Sequence, residues 1–427
     1  MHSPEIQKHV RHNFTVNIVD AAFFGFAALG LASTVTVIPL FLNTLGASAV
    51  LIAIVGSIHN IGWQLPQLFM AGYVARLSRF KPMVLFMTFH ERWPIFGLAI
   101  VALLMPIVHP SVTIVLAFVM LMIYSLGAGF AATAWQSMIG KIMPEEQHGT
   151  FFGMQSGIAN LLGAGGVVVA GLVLERLPSP LDFALCFGVS GIAMMISMWF
   201  LSRTREPAHA VAAPSERMQL GWRKMREIVY RDANLRWFLL ARSLSAVAWV
   251  AVSFYTIYAQ KTFQVTESRT GVLAGVMTVS QTVANIVLGR LGDRWGHRNM
   301  LALGGLMMAG SAGIAWFAPD FAWFYLVYAL AGAANATFWA IVIALTLEFG
   351  EGEEKPLYIG LANTLVAPIS LIAPIVGGVL ASQFGIQATF FLSMLAGLLM
   401  AGVLIFAMVD PRFARSVSPV VAAATEG

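Results

Sequence analysis

Tyr124–Trp135 reads YSLGAGFAATAW, and Tyr328–Trp339 reads YALAGAANATFW. Each stretch lies inside a long apolar run. Each sets a Tyr and a Trp eleven residues apart, with an Ala-Thr pair at the same offset between them (Ala132-Thr133 and Ala336-Thr337). The correspondence extends outward in the same order. Gln64 precedes Gly72 by eight residues and Gln281 precedes Gly289 by eight; GYVARLSRFKPM (72–83) aligns with GRLGDRWGHRNM (289–300), and HGTFFG (148–153) with KPLYIG (355–360). An ordered set of matches between two apolar halves indicates internal duplication. In membranes, parallel repeats of this kind build secondary transporters with a site near the bilayer midplane.

Composition sets the solvent. Of 427 residues, 58% are hydrophobic and 11% are charged, against about 25% charged in soluble domains. Mean hydropathy is +0.79. A soluble catalytic domain, a nucleic-acid binder and a disordered regulator all need a polar surface that this chain lacks. Twelve apolar segments are expected, at roughly 14–42, 47–75, 82–106, 111–139, 149–174, 181–202, 234–260, 268–291, 298–318, 321–349, 356–382 and 386–408. Backbone in lipid must satisfy its own hydrogen bonds, and these runs lack the alternation of barrel strands, so helices are expected. The first run is too long for the apolar core of a signal peptide and is expected to stay as an uncleaved span.

Charge orients the spans. With the N-terminus inside, twenty Lys and Arg fall on the cytoplasmic side, eight of them between the sixth and seventh spans. Arg176, Lys261 and Arg269 fall opposite, and Arg92 and Arg242 within spans. Positive residues collect in cytoplasmic loops, which places both termini in the cytoplasm and the chain in the cytoplasmic (inner) membrane as a multi-pass protein. The net charge of +5 is then a membrane signature, and no nucleic-acid partner is expected. The longest polar stretch, 203–233, separates two sets of six spans at 1–202 and 234–427. Its second part places Met218, Trp222, Met225 and Val229 on one face among basic residues, as in a helix lying on the membrane surface. The single cysteine, Cys186, excludes an intramolecular disulfide and a multi-cysteine metal site.

At this point the chain resembles the major facilitator superfamily. Gly289-Arg290-Leu291-Gly292-Asp293-Arg294-Trp295-Gly296-His297-Arg298 is similar to that family's loop signature, G-x-L-A-D-R-x-G-R-R, and falls between the eighth and ninth spans as it does there. The resemblance covers about 14–408 and implies an all-α integral membrane fold, with twelve transmembrane helices in two pseudo-symmetric six-helix bundles. It implies that Gly289 permits close packing and that Asp293 latches the cytoplasmic side, with Arg290 and Arg294 as basic partners and Glu348 as a counter-charge. The first-half copy departs from the signature: Arg76 stands at the aspartate's place and Arg79 at the second glycine's. Gly377-Gly378 after Ala373-Pro374 is similar to a motif that proton-driven exporters carry on their fifth helix, where this chain keeps Gly165-Gly166 but has Leu162 for the proline.

Charges inside spans cost about 2.5–3.5 kcal/mol on insertion scales and so point to function. Asp20 and Glu91 are the proton-coupling candidates, and Arg92 and Arg242 their intramembrane charge partners; a structural ion pair is the plainer alternative. Asn60, Gln64 and Gln67 share a face by their i, i+4, i+7 spacing, and Gln281 and Asn285 by i, i+4. These groups can hydrogen-bond a solute or a neighbouring helix. The resemblance assigns the first, fourth, seventh and tenth helices to a central cavity. That adds Tyr124, Trp135, Tyr255, Tyr258, Tyr328, Asn335 and Trp339, an aromatic and mildly polar set suited to an amphipathic organic solute. His59 and His90 have no second ligand at metal-binding spacing, so no metal is expected. No cofactor is expected either: the chain has no G-x-x-x-x-G-K-[ST] loop for ATP.

The function expected is a secondary active transporter of a small organic solute. It works by alternating access, is proton-coupled and leans to efflux of amphipathic compounds; its partners are the solute, protons and the lipid bilayer, and it is a monomer. Two alternatives are an uptake carrier for an organic nutrient and a transporter-like sensor or assembly factor. A polytopic enzyme is disfavoured, because the short loops lack clustered His and Asp.

Overall fold

The computed structural model describes residues 4–208, 222–265 and 267–412. Met218, Arg217 and Arg415 lie outside them. Eleven helices among the described residues are long and apolar enough to cross a membrane: Lys8–Leu31, Lys81–Leu103, Pro110–Ile142, Glu145–Arg176, Leu181–Ser202, Ala233–Phe263, Gly271–Trp295, His297–Phe317, Trp323–Thr346, Lys355–Phe384 and Ile386–Ala407. They correspond to eleven of the expected spans. The second comes as two helices, Ala49–Gln64 and Pro66–Val74, joined at Leu65, whose backbone is still helical. Neither piece is long enough alone. Pro66 is the local cause, because a proline nitrogen cannot donate to the ladder. No strand occurs among the described residues. The helices enclose their backbone hydrogen bonds, as lipid requires.

The chain divides into two compact units. Two short pieces group away from their neighbours in the chain. Residues 145–154, the entrance to the fifth span, group with the second half, and residues 359–367 of the eleventh span group with the first.

Unit 1 comprises Met1–Pro144, Gln155–Ser215 and Ile359–Ala367. With apolar lipid outside, burial of grease cannot drive association, so close approach and internal polar contacts do the holding. Gly129 of the fourth span lies against the Gly62 carbonyl of the second, where any Cβ would overlap it. The core is aromatic at one end, where Phe41 meets Phe183 and Phe187 at centroid distances of 5.2 and 5.4 Å. Residues 359–367 are fastened to the second span. Asn363 Nδ2 donates to Gln67 Oε1 (2.7 Å). The Thr364 hydroxyl donates to the Gln64 carbonyl (2.8 Å) and accepts from the Leu68 N–H (3.2 Å). Gln64 O and Leu68 N are the i and i+4 groups that an uninterrupted ladder would join. A side chain from another helix therefore sits at the break.

Unit 2 comprises Glu145–Met154, Glu216–Tyr358 and Pro368–Gly427. Its core packs Tyr255, Phe324, Tyr328 and Phe390 together. The tenth span widens into a π-helical turn at Thr337–Ile341. The amphipathic segment forms a helix over Trp222–Arg231. Met225 and Ile228 are buried in the unit and Val229 is half-buried. Lys224 and Arg231 tie the helix to Glu354 at 3.2 and 2.8 Å.

Candidate functional site

The first, third and sixth spans of unit 1 meet at a buried ion pair. Arg92 Nη2 stands 3.0 Å from Asp20 Oδ1, and the two side chains are 4% and 7% exposed. Ser197 donates its hydroxyl to the same carboxylate oxygen and lies 3.0 Å from the Asp20 carbonyl. Arg92 Nη1 donates to the Met194 carbonyl (3.2 Å), while its Nε is buried without a partner. The guanidinium also lies 5.9 Å from the Phe24 ring. An ion pair in low dielectric survives only when further hydrogen bonds satisfy its remaining donors and acceptors, and Ser197 and Met194 supply most of them.

Glu91 is half-buried beside this pair and makes no hydrogen bond or ion pair among the described residues. Its backbone packs against Gly127 of the fourth span. One turn earlier on that span is Tyr124, whose ring stacks on His59 of the second span at 5.3 Å and 17°. His59 Nδ1 is buried without a hydrogen-bond partner. This part of unit 1 therefore brings a paired carboxylate, an unpaired one, a stacked imidazole and a phenol close together.

The other expected residues divide between open and packed positions. In unit 1, Asn60 is exposed, Gln64 and Trp135 are half-buried, and Gln67 is buried on Asn363. Asn60, Gln64 and Gln67 therefore do not present one common face to a solute. In unit 2, Trp339 is 46% exposed and Asn335 half-exposed with no hydrogen bond among the described residues. Gln281 is half-buried; Asn285 is buried with both amide atoms unpartnered. Tyr255 is wholly enclosed in the bundle core, its hydroxyl 2.9 Å from Ser311 Oγ. Tyr328 is buried on Thr256 (2.6 Å), and the Tyr258 hydroxyl accepts from Gln387 (3.0 Å). Tyr255 and Tyr328 are packing residues in this arrangement, because the aromatic core closes over them. Arg242 is half-buried, 6.0 Å from the Phe238 ring.

The loop signature builds a second polar cluster, within unit 2. The Asp293 carboxylate accepts the N–H groups of Gly149 and Thr150, each at 2.7 Å. These amides, at the start of the helix His148–Arg176, have no intrahelical acceptor, so the acid caps a helix N-terminus and faces its positive dipole end. Backbones touch here: a Cβ at Gly153 would overlap the Asn285 carbonyl, and one at Gly289 the Gly149 carbonyl. His297 is fully buried between Asp293, with Nε2 3.3 Å from Oδ1 but off the line of a hydrogen bond, and Glu348, bonded through Nδ1. Arg412 Nε is 3.1 Å from Glu348 Oε1, and its Nη atoms donate to the Asp293 and Gly292 carbonyls. Arg290 and Arg294, the expected partners of Asp293, are exposed and pair with nothing among the described residues. The reason is angular. On a helix, i+4 shares a face with Asp293 and i+1 lies about 100° away, so His297 takes the place expected for Arg294. His297 was legible at that spacing; Ser197, Arg412 and the Gly149 and Thr150 amides carried no such signal.

Two helical units, one with an enclosed ion pair and the other with an acid-capped helix start, make up a polytopic membrane protein. The profile of the Major Facilitator Superfamily matches residues 90–261 and 244–425, and the chain belongs to that family. The multi-drug resistance efflux pump PmrA of Streptococcus pneumoniae serotype 4 is 30% identical over 176 residues, covering 39% of this chain and 43% of the pump. An uncharacterized MFS-type transporter of Methanocaldococcus jannaschii is 25% identical over 165 residues, covering 39% of this chain and 42% of its own. The match thus spans less than half of either relative. Among solved structures, the E. coli fucose:proton symporter FucP superposes with a TM-score of 0.74 at 16% identity, over 92% of this chain and 98% of that one. A bacterial homologue of the iron transporter ferroportin gives 0.73 at 15% identity, over 93% and 98%. At these identities the likeness is one of fold.

Proposed function

We propose that this chain is a proton-coupled secondary transporter of the cytoplasmic membrane, with both termini inside, that exports small amphipathic organic solutes by alternating access. The observation that carries the reading is the unpaired Glu91 carboxylate next to the enclosed Asp20–Arg92 pair. Asp20 is already neutralised by a guanidinium and a hydroxyl. Glu91 has no such partner, and an unpaired carboxylate at membrane depth can neutralise itself by binding a proton. In this scheme Glu91 carries the proton, while Asp20 and Arg92 fix the helices around it. Within unit 2, Trp339 and Asn335 offer an aromatic face and an amide to the solute. The partial match to a pump named for multidrug efflux favours export. Asp293, seated on the Gly149 and Thr150 amides, holds the cytoplasmic latch.

The test is transport in proteoliposomes at two external pH values, with a panel of fluorescent amphipathic dyes. Dye movement is expected to follow the imposed proton gradient. Glu91→Gln abolishes the gradient-driven component and leaves exchange of labelled for unlabelled dye intact, while Asp20→Asn weakens both. Gradient-driven transport at the wild-type rate in both variants overturns the coupling assignment. Absence of dye movement or exchange under every condition favours a non-transporting sensor.

A further inference from the structure

At the end where the third span begins and the sixth ends, unit 1 carries a cleft of about 720 Å³ that neither polar cluster uses. Its walls include Arg79, Lys81, Leu85, Arg203, Arg205 and Glu206. Glu206 is the one carboxylate in the lining, and it is already occupied. It accepts the N–H groups of Phe80 (2.9 Å) and Lys81 (2.8 Å) and pairs with Lys141 Nζ at 2.9 Å. Lys81 Nζ donates to the Thr204 carbonyl (2.9 Å). That leaves three guanidiniums facing no acid. Arg79 and Arg205 are exposed, and their side chains make no hydrogen bond or ion pair among the described residues. Arg203 is exposed and lies over the Trp199 ring at 4.6 Å.

The platform that holds them is fixed. Asn13 donates to the Arg205 carbonyl (2.9 Å) and accepts from its N–H (2.8 Å). Asn17 donates to Thr204 Oγ1 at 3.1 Å, and both asparagines are buried. His12 Nε2 lies 3.0 Å from the Arg203 carbonyl. The backbone around 203–206 is thereby tied to the first span and, through Glu206, to the third.

Depth identifies the ligand. Three spans terminate at this cleft: Lys8–Leu31 and Lys81–Leu103 begin there and Leu181–Ser202 ends there. It therefore sits at the level of the lipid headgroups. One turn inward on the same spans, Trp199 and Phe86 are 52% and 61% exposed, and Leu85 and Pro82 give the cleft an apolar wall. We propose that this cleft binds the phosphate headgroup of an anionic phospholipid, with Arg79, Arg203 and Arg205 as the phosphate ligands and an acyl chain along the Trp199 side. Basic pockets between transmembrane helices suit such headgroups, and arginine forks match phosphate oxygens. A soluble phosphate would meet the same cations but has nothing to place against the apolar wall.

The inference stands on the geometry of unit 1 and is independent of the solute carried. Full-length protein is purified from vesicles of dioleoyl-phosphatidylglycerol and phosphatidylcholine, and the retained lipid is counted by native mass spectrometry. Phosphatidylglycerol is expected to be retained over phosphatidylcholine and to resist millimolar inorganic phosphate. Roughly fivefold per surface arginine puts the loss in R79Q/R203Q/R205Q at about a hundredfold. R205Q alone, which leaves the backbone contacts of the platform intact, loses about fivefold, and the triple Arg→Lys variant, which keeps the charge but not the fork, falls between the wild type and R79Q/R203Q/R205Q. Equal retention in the wild type and R205Q overturns the proposal. So does displacement of the lipid by inorganic phosphate, which would make the cleft a soluble-anion site.

Discussion

Replacing Asp293 by asparagine isolates the hold of its carboxylate on the helix start. The carboxylate now receives two N–H groups at 2.7 Å from the start of a 29-residue helix. Asparagine keeps the shape and one acceptor oxygen, but turns an NH2 toward the second amide. Hydrogen bonds to a charged group contribute about 1.5–3 kcal/mol each and neutral ones about 0.5–1.5. One bond is weakened and the other lost, so the net cost is about 2–4 kcal/mol. At 1.4 kcal/mol per decade that raises the open population roughly 30- to 700-fold. The readout is hydrogen exchange in nanodiscs, followed on the peptide covering 145–154, since exchange of protected amides reports the opening equilibrium. The Gly149 and Thr150 amides should exchange faster by that factor in D293N, with peptides from the Tyr255 core unchanged. A change below about twofold refutes the reasoning, because the carboxylate would then contribute nothing to holding this helix end.

Three further expectations follow from particular contacts. Arg92→Leu leaves Asp20 enclosed without its cation and should cost about 3–5 kcal/mol; adding Asp20→Leu should restore much of the loss, as read by thermal unfolding in detergent. Thr364→Val cannot bridge the Gln64 carbonyl and Leu68 N–H and should lower stability by about 1–3 kcal/mol, whereas Thr364→Ser stays near wild type in the same assay. Burial works against ionisation of Glu354, but hydrogen bonds from Arg231 and Lys224 outweigh it and hold its carboxyl below the ordinary carboxylate range. The tether it provides is therefore present above the ordinary carboxylate pKa and is lost as pH falls through the lowered value. Hydrogen exchange of Trp222–Arg231 should rise only in strong acid, and Glu354→Gln should show the faster exchange already at neutral pH.

The fold was legible because lipid leaves few choices. Continuous apolar runs had to be helices, and the one-sided Lys and Arg distribution agreed with their number. The duplicated Tyr124–Trp135 and Tyr328–Trp339 stretches pointed to two bundles. The site was less legible, because its contacts join residues far apart in the chain. Asp20 and Arg92 were both singled out, yet nothing in their spacing pairs them; three spans and Ser197 do so. Tyr255 looked like a cavity residue on its helix assignment alone, but Phe324 and Phe390 enclose it. Trp222–Arg231 has the pattern of a surface-seeking helix, yet Met225 and Ile228 are buried and Lys224 and Arg231 pair with Glu354, more than a hundred residues on. His297 is the instructive miss. It stands at i+4 from Asp293, where helical geometry places a partner, whereas the arginines of the signature lie at i−3 and i+1 and are exposed.

Alternating access requires an interior that opens to each side of the membrane in turn. With Cys186 replaced by alanine, a single cysteine at Asn335 is labelled with an impermeant maleimide added to either face of oriented vesicles, with and without a proton gradient. The account predicts labelling from both faces, with the gradient shifting the ratio between them. A cysteine that reacts from neither face under any condition contradicts it.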